Sequence, residues 1–77
     1  MIEVLVNVHG GLDKYLDRPR KSKVKIEDGS NILQVYKEIG LEKSVAHVVL
    51  QNGEKVDLEQ KVESEAEIDI YPIFGGG

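Results

Sequence analysis

The chain has 77 residues, a formal net charge of -4 and no cysteine. A domain of this length hides only about 60% of the surface its unfolded form exposes, so it supports one modest core and leaves little room for a buried catalytic cleft. The missing thiols exclude disulfides, thiolate metal sites and cysteine nucleophiles, and they fit a reducing compartment.

Met1-Ile2-Glu3-Val4 lacks the basic stretch and long apolar run of a signal peptide, and no later segment has the apolar length of a membrane span. A soluble, cytoplasmic protein that does not engage a membrane is expected. Ile2, Val4, Val6 and Val8 alternate with Glu3, Leu5 and Asn7, the period-two signature of a strand with one buried face, and this strand should lie centrally in a sheet. From His9 to Ser22 the breaker pair Gly10-Gly11, the helically spaced Leu12, Tyr15 and Leu16, and then Pro19 predict a loop with one helical turn. Lys23 to Glu27 alternates again, with Val24 and Ile26 facing in, and Asp28-Gly29 ends this second strand as a turn.

Lys14, Arg18, Arg20, Lys21, Lys23 and Lys25 crowd this part of an otherwise acidic chain. The overall charge argues against general nucleic-acid binding, and a charge run without an aromatic platform reads as a solvated face rather than a polyanion site.

Ile32, Val35, Tyr36 and Ile39 fall at i, i+3, i+4 and i+7, which predicts a helix over 32–39. Ser30 or Asn31 suits the N-cap, Asn31 with Gln34 resembles a capping box, and Gly40 suits the left-handed position after the last turn. Val45 to Leu50 is rich in β-branched residues, and the Asn52-Gly53 pair after it is a strong hairpin signal leading to a short strand at Lys55 and Val56. A polar connection over 57–65 precedes a last strand in which Ile68 and Ile70 alternate with Glu67, Asp69 and Tyr71 before Pro72 stops it. The order ββαβ(β)β implies an α+β domain in two layers, a mixed sheet of four to five strands on one main helix.

Chemical candidates are few. His9 and His47 are the only histidines, without cysteine or an H-x-x-x-H pairing, so no metal site is expected. Ser22, Ser30, Ser44 and Ser64 stand in turn-like or polar surroundings, where capping explains them better than a Ser/His/Asp arrangement. Glu63, Glu65 and Glu67 read as a solvated edge rather than a paired acid and base.

The end of the sequence differs in kind, because Tyr71-Pro72-Ile73-Phe74 is followed by Gly75-Gly76-Gly77. Three residues without Cβ form either a simple frayed terminus or a thin probe reaching about 10 Å beyond Phe74, at roughly 3.3–3.6 Å per residue. Such a probe can carry an α-carboxylate into a narrow site on another protein. Glycine also suits acyl chemistry, since a carboxylate reacts only after activation and a side chain beside it would hinder attack on the carbonyl. The expected organisation is a domain over 1–74 and a flexible glycine tail over 75–77.

The pattern resembles the MoaD/ThiS family of ubiquitin-like sulfur carriers. The resemblance rests on Ile2 to Val8, Leu12-Asp13-Lys14-Tyr15-Leu16, Asp28-Gly29-Ser30-Asn31-Ile32, Val49-Leu50-Gln51-Asn52-Gly53 and Glu67 to Gly77. It is also similar, through Tyr71 to Phe74 and the Asn52-Gly53 region, to the ubiquitin-like domain associated with Mut7-C. The first resemblance implies a ubiquitin-like β-grasp fold and a carrier that is not itself an enzyme, including the small subunit of a molybdopterin synthase-like complex. By the same resemblance Gly77 is adenylated by an E1-like enzyme, which consumes ATP and magnesium, and is then converted to a thiocarboxylate. A sulfurtransferase or synthase partner would use that sulfur in molybdopterin, thiamin or thiolated-tRNA biosynthesis. No cofactor would be bound by the carrier. Gly75, Gly76 and Gly77 would enter the partner's active site. The departures are Phe74, where the family commonly has a smaller residue, and a third glycine where two suffice.

Docking requires a surface as well as a tail. The alternation puts Leu5 on the outward phase of the first strand, His47 and Val49 on one phase of a later strand, and Tyr71 outward on the last. Together with Phe74 these residues form the expected partner-binding patch. Two other readings share the fold: a protein modifier joined to lysines through Gly77, and a non-covalent β-grasp interaction module.

Overall fold

The computed structural model describes residues 1–16, 18–42 and 48–72. Five strands and one helix appear in the expected order: β1 (Ile2–Val8), β2 (Lys21–Ile26), α1 (Ile32–Ile39), β3 (Val48–Gln51), β4 (Glu54–Val56) and β5 (Glu67–Tyr71). A short 3-10 turn, Leu12–Tyr15, interrupts the connection between β1 and β2. Its Leu12 is buried in the core.

The sheet order is β2-β1-β5-β3-β4, with β1 and β5 parallel and every other pair antiparallel. β1 is an interior strand as its pattern predicts, but the middle of the sheet is β5. Val4, Val6 and Val8 of β1, Val24 and Ile26 of β2, and Ile68 and Ile70 of β5 form one face of the sheet. That face meets the stripe Ile32, Val35, Tyr36 and Ile39 of α1, completing a two-layer core that also takes in Leu41 and Val62.

The helix begins and ends where local chemistry directs. The Asn31 side chain accepts from the Gln34 N–H at 3.0 Å, and Gly40 takes φ 80°, ψ 23°. An N-terminus leaves four N–H groups without intrahelical partners. Here two more are satisfied across the fold, because Ile32 N–H donates to the Gln60 carbonyl and Leu33 N–H to the Leu58 carbonyl, each at 3.0 Å.

Asn52 (φ 52°) and Gly53 (φ 85°) both have the positive φ that a two-residue type I′ hairpin turn needs. The Asn52 side chain then works twice more, its Oδ1 accepting from Glu67 N–H at 2.9 Å and its Nδ2 donating to Glu63 Oε2 at 3.2 Å.

The 57–65 connection is more structured than its polar composition suggests. Val62 lies at 2% exposure, and the nearby Ala66 is equally buried. Gln51, the one buried polar residue in the described core, donates from Nε2 to the Lys61 carbonyl and accepts from Glu63 N–H at 2.9 Å. These bonds pin the connection beneath the sheet end, and β2 is longer than expected because Lys21 and Ser22 continue its ladder to Asn7 and Val6.

Candidate functional site

The helix covers one face of the sheet and leaves the other as the candidate docking surface. Outward positions are set by the register. Leu5 lies opposite Glu67, Asn7 opposite Asp69, Asp69 opposite Leu50, and Tyr71 opposite Val48. Tyr71, Val48, Leu50 and Leu5 are all partly exposed there.

The expected patch is corrected at Val49. Its side chain is 4% exposed and belongs to the core, opposite Ile70 on the inner face. Side chains alternate with a period of two, so the outward positions of β3 are the neighbours Val48 and Leu50. Leu5 and Tyr71 are also not in contact across the sheet. Tyr71 lies four positions along β5 from Glu67, the partner of Leu5, about 13 Å at strand rise, and the outward carboxylates Glu67 and Asp69 stand on that path. The structure therefore brings together Tyr71, Val48 and Leu50 and sets Leu5 apart. Among the other residues expected at the site, His47, Phe74, Gly75, Gly76 and Gly77 lie outside the described residues.

One cluster was missed in the sequence. His9 follows β1 on its outward phase. Its Nε2 lies 2.8 Å from Asp69 Oδ1, and its ring stacks on Tyr71 with centroids 4.2 Å apart and planes 5° from parallel. One imidazole thus holds both of the last two outward side chains of β5, while its backbone N–H donates to the Ile70 carbonyl at 2.9 Å. The signal was present only as shared phase. Residues 9, 69 and 71 each point outward, but the parallel register that joins their strands is not a local property.

His9 with Asp69 resembles two-thirds of a hydrolytic triad, yet no serine hydroxyl bonds to His9 among the described residues. No group of three or more His, Cys, Asp or Glu residues that could hold a metal is found among them either. What this arrangement supplies is a fixed aromatic surface at the point where the chain leaves the sheet. After Tyr71 the ladder stops at Pro72, which has no N–H to donate.

Among the described residues Tyr36 is the one ionisable group clearly displaced from its ordinary range. Burial pushes its phenol from 10.0 up to about 12, and its Oη has no hydrogen-bond partner among the described residues. It sits in the core beneath the helix, away from the outer face.

Similar folds occur in several solved structures. SAMP1 from Haloferax volcanii superposes with a TM-score of 0.77 over 97% of this chain and 99% of its own, at 18% sequence identity. The fold is thereby identified. This chain has the ubiquitin-like β-grasp fold. A second structure of H. volcanii small archaeal modifier protein 1 gives a TM-score of 0.76 at 14% identity, covering 94% of this chain and 98% of that one. A putative molybdopterin converting factor, subunit 1, from Pyrococcus furiosus gives 0.75 at 12% identity over 94% and 98% of the two chains. Neither a family model nor a curated protein sequence matches the chain. The fold implied by the resemblance read from the sequence is the fold that these structural neighbours share with the chain. Among the described residues no helix is long and apolar enough to cross a membrane.

Proposed function

We propose that this β-grasp protein is a cytoplasmic sulfur carrier that serves as a co-substrate, with Gly77 as the activated residue. An E1-like partner would transfer AMP from Mg-ATP to the Gly77 carboxylate, releasing pyrophosphate. Hydrosulfide supplied by the sulfur donor would then attack the acyl carbon, forming the C–S bond as the C–O bond to AMP breaks and leaving a thiocarboxylate and free AMP. That sulfur goes to a small-molecule or RNA acceptor through a synthase or sulfurtransferase partner, in molybdopterin, thiamin or thiolated-tRNA biosynthesis. The carrier itself binds no cofactor, and ATP and magnesium are used by the activating partner.

The observation that carries this reading is where the fold releases the chain. β5, the middle strand, ends at Tyr71-Pro72 beside the outer face of Tyr71, Val48 and Leu50, and the sequence beyond is Ile73-Phe74-Gly75-Gly76-Gly77. A partner gripping that face has the glycines within reach of its own active site. The P. furiosus neighbour, described as a putative molybdopterin converting factor subunit, supports a carrier role and a place as the small subunit of a synthase-like complex.

A second reading is favoured by the two H. volcanii neighbours, which are described as modifier proteins: Gly77 becomes linked to lysines of target proteins. Both readings begin with the same adenylate and part at the nucleophile. Intact-mass spectrometry after incubation with a candidate E1-like enzyme, Mg-ATP and a sulfur donor separates them, run beside a variant lacking Gly77. Replacement of one oxygen by sulfur, absent from the variant, supports the carrier. Higher-mass conjugates carrying a Gly-Lys isopeptide support the modifier. Neither product with a panel of such enzymes would overturn both and leave a non-covalent interaction module.

A further inference from the structure

The two edges of the sheet are unequal. β4 is three residues long, whereas β2 runs for six and pairs with β1 alone. No backbone hydrogen bond to the other side of β2 occurs among the described residues. Half of its N–H and C=O groups therefore face outward, a template for another strand.

On its solvent face this edge carries Lys21, Lys23 and Lys25, all exposed and spaced by two residues, or about 7 Å. Arg18 and Arg20 precede them. None of these five makes an ion pair with a described residue, in a protein whose net charge is -4. Across the ladder Lys21 faces Asn7 and Lys23 faces Leu5, and only Lys25 has a carboxylate opposite, Glu3.

Edge lysines commonly serve to prevent aggregation, and that role follows here: two copies meeting edge to edge would set one lysine column against another. The same column favours a strand of opposite charge. On the inner side Val24 and Ile26 are already buried in the core, and a largely polar groove of about 230 Å³, lined by Lys25, Ile26, Glu27, Ser30, Gln34 and Glu38, leaves room between the end of β2 and α1 for the uncharged side chains of such a strand.

We infer that β2 is a docking edge for an acidic extended segment of a partner protein, added to the sheet as a sixth strand. Its carboxylates align with Lys21, Lys23 and Lys25, and its alternate side chains are uncharged and lie along the inner side towards α1. This docking is independent of the glycine tail and leaves the outer face of Tyr71 free.

The test is titration of the full chain, isotopically labelled, with a blocked hexapeptide of alternating Glu and Val, followed by amide chemical shifts. The expected result is shifts concentrated on residues 20–26, new protection of the outward-facing amides of β2 against hydrogen exchange, and weakening with added salt. The triple variant K21E/K23E/K25E should bind the peptide about ten-fold or more weakly and prefer its Lys-Val counterpart. The amides of residues 21, 23 and 25 all face outward, because Val8 N–H bonds the Arg20 carbonyl while Leu5 N–H, opposite Lys23, donates to the Ala66 carbonyl on the β5 side. A Pro introduced at position 23 therefore removes one docking bond without altering the charge pattern on the remaining residues. Shifts centred on Leu50 and Tyr71, or no saturable binding, would overturn the proposal. So would equal affinity for polyphosphate or a single-stranded oligonucleotide without amide protection, which would make the strip a general polyanion surface.

Discussion

Replacing Tyr36 by Phe removes one oxygen from the core and nothing else. The ring stays, with its contacts to the helix stripe and the sheet, while the buried hydroxyl, which has no hydrogen-bond partner among the described residues, disappears. A buried polar group left unpaired costs about 1–3 kcal/mol. Some of that is recovered by local relaxation, so Tyr36→Phe should stabilise the fold by about 1 kcal/mol, raising Tm by roughly 4–8 °C for a domain of this size. The same site predicts a pH dependence. The phenol titrates at 10.0 when unfolded and at about 12 when folded, so between those values the unfolded chain has released a proton that the folded chain retains. Stability is fully present below pH 10 and falls as pH rises to about 12, by up to roughly 2–3 kcal/mol from this group. Urea unfolding of the parent and Tyr36→Phe at pH 7 and across the alkaline range measures both effects, the variant lacking this part of the alkaline loss. A variant destabilised by 1 kcal/mol or more at pH 7, with an unchanged alkaline slope, would refute the reasoning by showing that the hydroxyl is satisfied.

The corrected phase of β3 gives a paired test by chemical denaturation: Val49→Ala should cost about 2 kcal/mol through the cavity it leaves, and Val48→Ala less than about 1 kcal/mol. Asn31→Ala removes the side-chain acceptor of the Gln34 N–H, leaving it only the Asn31 carbonyl, and should cost about 1 kcal/mol in the same assay, whereas Asn31→Asp should retain most of the stability. Gly53→Val places a β-branched residue at φ 85° in the hairpin turn and should lower the unfolding free energy by at least about 1 kcal/mol, with hydrogen exchange accelerated first in β3 and β4. His9→Phe keeps a ring to stack on Tyr71 and removes the bond to Asp69, while His9→Ala removes both. If the stack orients Tyr71, near-ultraviolet dichroism of the tyrosine band changes more in the alanine variant than in the phenylalanine one.

Much of this fold could be read locally because its signals are local. The helix boundaries follow from a 3.6-residue stripe between Asn31 and Gly40, each of which does at its own position what its side chain, or lack of one, permits. Asn52-Gly53 specifies a hairpin turn from two dihedral pairs. The strands β1 and β5 were legible because their apolar and polar residues alternate without ambiguity. The run 45–50 is apolar on both phases, so its periodicity could not say which side faces the helix. Pairing of Val49 with Ile70 decided that, and with it which residues can meet a partner.

The remaining features belong to tertiary structure. Val62 and Ala66 sit in a polar stretch and are buried because the chain there returns first to the helix N-terminus, through the Ser30 and Gln60 carbonyl bonds, and then to β1, where the Ala66 carbonyl accepts from Leu5 N–H. His9 meets Asp69 and Tyr71 across 60 residues because β1 and β5 run parallel, and a parallel pair leaves no short-range trace between its partners. The lysines of β2 were visible as a cluster, but only the sheet order made them an open edge. Sequence by itself determined the elements and the glycine ending, since propensity, capping and period act within a few residues; the assembled sheet decided which faces and edges those elements expose, since that depends on which strands become neighbours.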